Sequence, residues 1–533
     1  MFEFSRLRTK VALMGALAAL ALVPAVSAQA PTPDDETLVI GVFSDAGSLD
    51  PAQVSGGNFS PLMHMFGTLY ELGQASGSIN PYIANAYEIS EDGTEWTFTL
   101  EEGLTCSDGE AFTGEDAAFS WNRMADPANG FTGNSAGFVV PSLGFIEARS
   151  DSPETVTLVF DGPQNVNLRL GLISEVFLHC KDSYETMPLE EAAVSPVTFG
   201  AYNFGEWVTG DYLTMTRNQD WTLRGGEFDT VVWRVFPEQS TATAEMITGN
   251  VDLIKGLAAD QVDPINNSGV AEVINYASTN RFYVGYNMTP GNTWSDTPGA
   301  QAIMETDVRI ALQYAVDVSA ICTQLLAAEC ERSTGPVNPP NDSPNLEPYP
   351  YDPAMAEQLL DEAGWPRGEN GERFSLTLVG RNRPGPGSPE VAQAIAQMLS
   401  DVGVPTNVEI LENATFIEQL IAHELGPLFL ISSGGSTWSA QYDLADFSGP
   451  QGETNYTEWA NAEFFELKEQ LPSLVNDPEA ERAVEVQMLD IFYNDPPWLM
   501  LYPGPTLEAV SNRLNYTPRN DIFQTLYDVT LAE

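Results

Sequence analysis

Seventy-five acidic side chains stand against 22 basic ones in these 533 residues, a formal charge of −53, and any fold of the chain must spread that repulsion over a large surface. The carboxylates are scattered along the sequence rather than gathered in one tail, and 43% of the residues are hydrophobic, so cores can form and wholesale disorder is excluded. A phosphate backbone or an anionic membrane needs Lys and Arg to replace its counterions, so nucleic acid and anionic lipid surfaces are excluded as partners. The expected explanation is a saline habitat, where salt screens the self-repulsion.

The N-terminal segment gives the compartment. Arg6, Arg8 and Lys10 precede a short apolar run, residues 11–23, and Val26-Ser27-Ala28 offers a small-residue cleavage site. This pattern is expected to be a secretory signal peptide over residues 1–28, with Gln29 as the mature start and the periplasm as the destination. The apolar run is too short to span a bilayer as a mature helix. Without residues 1–28, which hold Arg6, Arg8, Lys10 and Glu3, the counts become 19 basic and 74 acidic and the charge −55.

Four cysteines remain, Cys106, Cys180, Cys322 and Cys330, and an even number in an oxidising compartment reads as disulfides. Cys322 and Cys330 are eight apart and can staple a helix end locally, which leaves Cys106 with Cys180. His64, His179 and His423 are dispersed, so no metal site is expected, and no cofactor. Gly380 to Gly387 lacks the Lys-Ser/Thr ending of a phosphate loop, and the serines at 432, 433 and 436 form no nucleophile elbow. With acid this abundant, carboxylate pairs carry no information about catalysis. A secreted hydrolase is the enzyme alternative, and it lacks a triad.

Strand and helix signals alternate along the chain, the pattern of an α/β protein with covered sheets. Strands are expected at residues 37–42, 95–100, 155–160, 212–216, 231–235, 251–254, 375–379, 407–409 and 428–431. Helices are expected at 59–72, 240–247, 307–326, 353–362, 390–401, 416–422 and 479–493, with another capped by Thr113 and stopped near Asp126-Pro127. The polar residues 29–36 read as a flexible leader. The seven prolines between Pro336 and Pro353 read as an ordered surface crossing.

An ordered series of phrases then resembles a known family. It begins with Phe98 to Arg123, around the Thr113 helix opening, and continues through Gly200-Ala201-Tyr202, Asn218-Gln219-Asp220-Trp221 and Gly249-Asn250-Val251-Asp252. Tyr286-Asn287, Val308 to Asp317, Ala363-Gly364-Trp365-Pro366 and Asp495-Pro496-Pro497-Trp498 follow in the same order. The chain is thereby similar to the family 5 extracellular solute-binding proteins of ABC transporters, the peptide and oligopeptide class, although Phe199 and Ala201 replace that family's usual Thr and Pro.

The resemblance implies a two-lobed periplasmic-binding-protein fold, type II-like, with an extra small α+β domain and a ligand enclosed by hinge closure. The corresponding divisions are residues 37–80, 196–286 and 500–533 for a discontinuous large lobe, 81–195 for the inserted domain and 287–499 for the second lobe. It implies a non-enzymatic monomer that captures a short peptide or peptide-like solute and delivers it to an ABC permease. Other cargo known in the family, sugars, opines and metal chelates, stays open, as does a sensory role.

Ligand residues are expected in the loop from Gly434 to Asp443, which leaves a strand end. Trp438 supplies an apolar face, Asp443 a partner for an ammonium, and Ser436 and Tyr442 lie beside them. Arg381 and Arg383 are conspicuous in a chain so poor in base, and a guanidinium can bind a carboxylate through two hydrogen bonds. Tyr70, Tyr283 and Asn287 are further candidates, and Asn455-Tyr456 resembles the family's Asn/Tyr pair after the cleft segment. The charge yields a first prediction. The melting temperature rises with sodium chloride from about 10 mM to 1 M, as the screening length falls from roughly 30 Å to 3 Å; a salt-independent transition in a thermal scan removes self-repulsion as a cost.

Overall fold

The computed structural model describes residues 30–54, 59–73, 78–338, 341–383, 385–434, 439–445, 455–475, 477–521 and 523–532. The signal segment and Gln29 therefore lie outside the described residues, as do Ser436 and Trp438. No helix among the described residues is long and apolar enough to cross a membrane.

Two long antiparallel strands organise the chain, Ala271–Tyr286 and Trp498–Ser511. They form the middle of a ten-stranded sheet and carry a different set of strands on each side. On one side lie Leu253–Lys255, Thr37–Val42, Thr230–Val235, Tyr212–Arg217 and Tyr202–Val208. On the other lie Leu428–Ser433, Leu376–Arg381 and Thr406–Leu411. Each side has its own cores. Leu38, Ile40 and Val231 face one large-lobe cluster, while Val39, Val232 and Ile254 face another. In the second lobe, Val284, Leu378 and Leu430 pack on one face, and Tyr283, Val379 and Phe429 on the other. Thr37–Val42 is buried almost throughout, as its unbroken apolar run requires of a strand covered on both faces.

The crossing strands are paired in two blocks rather than one. Ala271 to Ala277 oppose Ser511 to Pro505, and Arg281 to Gly285 oppose Pro503 to Trp498, with a register shift between the blocks. Pro503 and Pro505 bracket Gly504 at the gap, and proline has no N–H to give to a ladder. The Thr279 N–H bonds outside the pair, to the Asn520 carbonyl at 2.8 Å. Gly434 approaches the same gap with φ +147°, where a Cβ would stand 2.1 Å from the Thr279 oxygen, so only glycine fits.

A separate four-stranded antiparallel sheet, in the order Ala84–Ile89, Glu95–Leu100, Thr155–Phe160, Phe145–Ser152, is backed by the helix Gly114–Ala125. Thr113 caps that helix in a reciprocal capping box with Asp116. The unit is tied to the large lobe by a buried ion pair, Arg123 to Asp50 at 2.6 Å. Burial pulls the Asp50 carboxyl up, but the His179 ring 3.6 Å away and the Arg123 ion pair outweigh it and hold the group well below the usual carboxylate range.

Two expected helices are corrected. The helix expected over residues 59–72 ends at Met65, because Gly67 packs directly on Ile83 and its N–H joins the Phe199 carbonyl, and Tyr70 opens the strand Tyr70–Leu72. The helix expected over 307–326 is two helices, Thr306–Tyr314 and Val318–Leu325, since the Asp317 side chain caps the second through the Ala320 N–H. Both crossing strands were unanticipated.

The disulfides are Cys106–Cys180 and Cys322–Cys330, as expected. They span 74 and 8 residues. Loop entropy then sets their ranking: Cys106→Ala with Cys180→Ala costs about 4 kcal/mol of stability, and Cys322→Ala with Cys330→Ala about 2.5 kcal/mol. Non-reducing urea unfolding measures both, and the reverse order would contradict this account.

Candidate functional site

A cavity of about 610 Å³ opens where the two sheet halves meet. Its large-lobe wall begins where Thr37–Val42 and its parallel neighbours Thr230–Val235 and Leu253–Lys255 end: Val42 to Ala46, Val235, Lys255 and Gly256. Parallel strands commonly place ligands outside their carboxyl ends. Trp233, Leu213 and Pro61 supply apolar surface, Ser278 and Asn280 contribute from the crossing gap, and Arg383 reaches in from the second lobe.

The floor is built by a late segment of the chain. The Ser60 hydroxyl accepts the Gln524 N–H at 3.1 Å. His64 donates from Nδ1 to the Ser60 carbonyl at 2.7 Å and accepts the Leu526 N–H on Nε2 at 3.0 Å, so its neutral form fits this geometry. Burial pushes its imidazole down to about 4.

Beside it, the Lys255 ammonium donates to the carbonyls of Asp521 and Phe523 at 3.1 and 2.6 Å and sits over the Tyr276 ring. Burial lowers the Lys255 pKa, with Glu508 and Asp521 opposing. The fully buried Glu508 accepts hydrogen bonds from Tyr276, Tyr516 and Gln524 at 2.7, 3.0 and 2.6 Å. Burial raises its carboxyl even so.

The carboxylates of the cleft wall are already engaged. Asp45 accepts the Trp207 indole N–H at 2.8 Å and the Gly210 N–H at 2.6 Å, and Asp521 pairs with Arg519. Among the described residues no carboxylate pairs with Arg383, and no group of three or more His, Cys, Asp or Glu side chains is arranged to hold a metal. The cavity can therefore offer a cation and backbone or hydroxyl groups to a solute, beside an apolar wall.

Of the ligand residues expected from sequence, the cavity is lined by Arg383. Arg381 is buried: it donates to Asn413 at 3.3 Å and covers Phe416, while burial and Arg383 bring its pKa down to about 10. Asp443 receives Arg281 at 2.7 Å in a buried ion pair, and Arg281 also holds Asn338. Tyr442 meets the Phe138 ring edge-on. Tyr283 stacks on Trp498 with centroids 3.6 Å apart. Asn287 donates to the Leu425 carbonyl and Asn455 to the Trp459 carbonyl, both at 2.8 Å. Tyr456 neighbours His423, and Tyr70 packs on Tyr87 and Phe98 of the separate four-stranded sheet. Sequence reasoning missed Ser44, Trp233, Lys255, Asn280 and Gln524; the ends of the strands 37–42 and 231–235 were the available signal.

Two lobes on paired crossing strands, with a cleft at their strand ends and a third small unit on one side, define a two-lobed solute-binding protein. The chain belongs to the bacterial extracellular solute-binding proteins, family 5, whose model matches residues 78–455. It is 25% identical to heme-binding protein A of Haemophilus influenzae over 83% of this chain and 84% of that one. It is 23% identical to the glutathione-binding protein of Salmonella typhimurium over 95% and 94%. The fold is shared with the ABC transporter-associated periplasmic binding protein DppA of Helicobacter pylori in complex with the peptide STSA, with a TM-score of 0.75 at 20% identity, covering 93% of this chain and 98% of that one.

The His64 geometry carries a pH prediction. An unfolded histidine titrates near 6.5, so as pH falls below that value the unfolded chain takes the proton first. Stability contributed by neutral His64 is full above about pH 6.5 and declines down to about pH 4, by about 3 kcal/mol in all. Urea unfolding between pH 7 and 4 should show this component in the wild type and not in His64→Gln; equal slopes would contradict it.

Proposed function

We propose that the chain is the extracytoplasmic binding subunit of an ABC importer and captures a small peptide or peptide-like solute by its carboxylate. The observation that carries this reading is the contrast between Arg383, without a carboxylate partner among the described residues, and cleft carboxylates occupied inside the protein. In a chain of charge −53, such a guanidinium at the cavity selects an anionic group. Peptides, glutathione and heme all carry carboxylates, which agrees with the names of the relatives and with the peptide of the structural neighbour. A cavity of about 610 Å³ falls within the ordinary range for small-ligand sites.

Residues 1–28 act as a cleaved export signal in this reading, Gln29 begins the mature periplasmic chain, and the acidic surface is an adaptation to salt. The protein works as a monomer, without chemistry on its cargo, and closed lobes present the face that the permease reads. The inserted domain is taken as 81–195, the large lobe as 196 to the crossing gap at 277–281, and the second lobe from there to the gap at 503–505, where the chain returns, so the bounds expected at 286 and 499 move into the crossing strands.

Mass spectrometry of solute retained on gently purified protein tests the class of cargo, and calorimetry with a tripeptide series tests the contact. Arg383→Ala weakens tripeptide binding at least tenfold, about 1.4 kcal/mol, and C-terminal amidation of the peptide costs the wild type the same but the variant nothing further. Equal affinity for acid and amide in the wild type would end the carboxylate reading.

A further inference from the structure

The small inserted unit touches the second lobe at a seam away from the cavity. Asn165 caps the helix Val166–Ile173, its Oδ1 accepting the Leu168 N–H at 3.0 Å, which fixes the orientation of its amide. The Nδ2 of that amide lies 2.8 Å from each carboxylate oxygen of Glu481, on the second-lobe helix Pro478–Asn494. Glu481 is 4% exposed, and among the described residues no cation pairs with it; Arg482 beside it turns to Glu485 and the Asp342 carbonyl. Close by, Phe138 of the inserted unit meets Tyr442 edge-on at 6.2 Å. Tyr442 adjoins Asp443, whose carboxylate Arg281 anchors next to the crossing gap.

The seam is lightly packed. A groove of about 260 Å³ runs along it, with Leu143, Asp161 and Gln164 on one bank and Gln441 and Pro472 on the other. Point contacts beside a groove do not make a core, and they can part without exposing much apolar surface. A carboxylate shielded from water with one amide as its partner costs desolvation while the seam is shut and regains water when it opens, so the contact is worth about one hydrogen bond to a charged group. The Arg281–Asp443 pair behaves differently. Both its residues lie on the second-lobe side of the crossing gap, so that pair persists whether the seam is open or shut.

We propose that Asn165 and Glu481 form a clasp between the inserted unit and the second lobe, and are positioning residues that hold the closed form without touching the solute. The proposal rests on the hinged-binder reading above only in that the lobes part. Apparent affinity scales with the fraction of molecules in the competent form, so the clasp sets solute retention from outside the cavity.

Electron–electron distance measurements on the ligand-free mature chain test it. Spin labels go on Ile146→Cys in the inserted unit and Ile421→Cys in the second lobe, which are 59% and 62% exposed; the four native cysteines are all in disulfides and take no label. Asn165→Ser, which keeps a cap oxygen for the Leu168 N–H but is too short to reach Glu481, and Glu481→Gln each lower the ratio of short to long distances about tenfold, and the double variant goes no lower. Asn165→Cys with Glu481→Cys, oxidised before the labels are attached, collects the molecules at the short distance. The proposal is overturned by an unchanged distribution in the single variants, by losses that add in the double variant, by losses matched by a lower unfolding temperature, or by a cysteine pair that fails to join. No solute enters the measurement, so failure to bind peptides would refute the cargo reading and leave the clasp to stand or fall separately.

Discussion

The interrupted pairing of the two crossing strands governs the rest of the molecule. A continuous ladder would weld the two sheet halves into one plate. Pro503 and Pro505 withdraw two donors at the gap, and the freed Thr279 N–H is satisfied by Asn520 instead. The Asn280 N–H turns to the Ser278 hydroxyl at 3.3 Å, and each half keeps its own apolar clusters. Two cores joined by a few unladdered residues are free to rotate about the join. The cavity lies at this join because strand ends from both halves converge there.

Electrostatics follow the same division of labour. The outer surface carries the excess of carboxylates, while those near the cavity are consumed by internal partners: Asp45 by Trp207 and Gly210, Asp521 by Arg519, and Glu508 by two tyrosines and Gln524. Lys255 is spent on two carbonyls. An arginine brought from the opposite half thus faces a wall whose carboxylates are already hydrogen-bonded or ion-paired inside the protein. Local pairing, more than net charge, decides what a solute experiences in the cleft.

Much of the architecture was legible because it rests on local signals. Thr113 with Asp116 announced its helix, and the run from Thr37 to Val42 announced a strand. The even cysteine count and the eight-residue spacing announced the bonds that form. The crossing strands were hidden because Ala271 to Tyr286 mixes Glu, Asn, Ser, Thr and Arg with apolar residues and keeps no single alternation; it changes lobes along its length, mostly half-exposed up to Asn280 and buried throughout from Arg281 on. For the site, residue type misled where pairing was non-local. Asp443 looked available for an ammonium, but its partner Arg281 is 162 residues away in sequence. Arg381 and Arg383 look equivalent in sequence, yet the strand ends at Arg381, which is buried against Phe416, and the loop beyond it carries Arg383 to the cavity. Lys255 and Gln524 had no local mark, because their role is set by what the fold brings beside them.

The floor of the cavity has a consequence for how the molecule is assembled. Residues 519–527 supply carbonyls to Lys255, an N–H to His64 and an amide to Glu508, more than 450 residues after the helix that His64 belongs to. Contacts closing loops of that length form late in folding, since their entropy must be met before they return any stabilisation. A chain emerging from its N-terminus can build much of the inserted sheet early, whereas strand Thr37–Val42 waits for partners near residues 230 and 253, and the cavity floor waits for this closing segment. A molecule that stops short of residue 527 therefore lacks the carbonyls that hold Lys255 and the N–H that holds His64, and one end of the chain keeps the other in order.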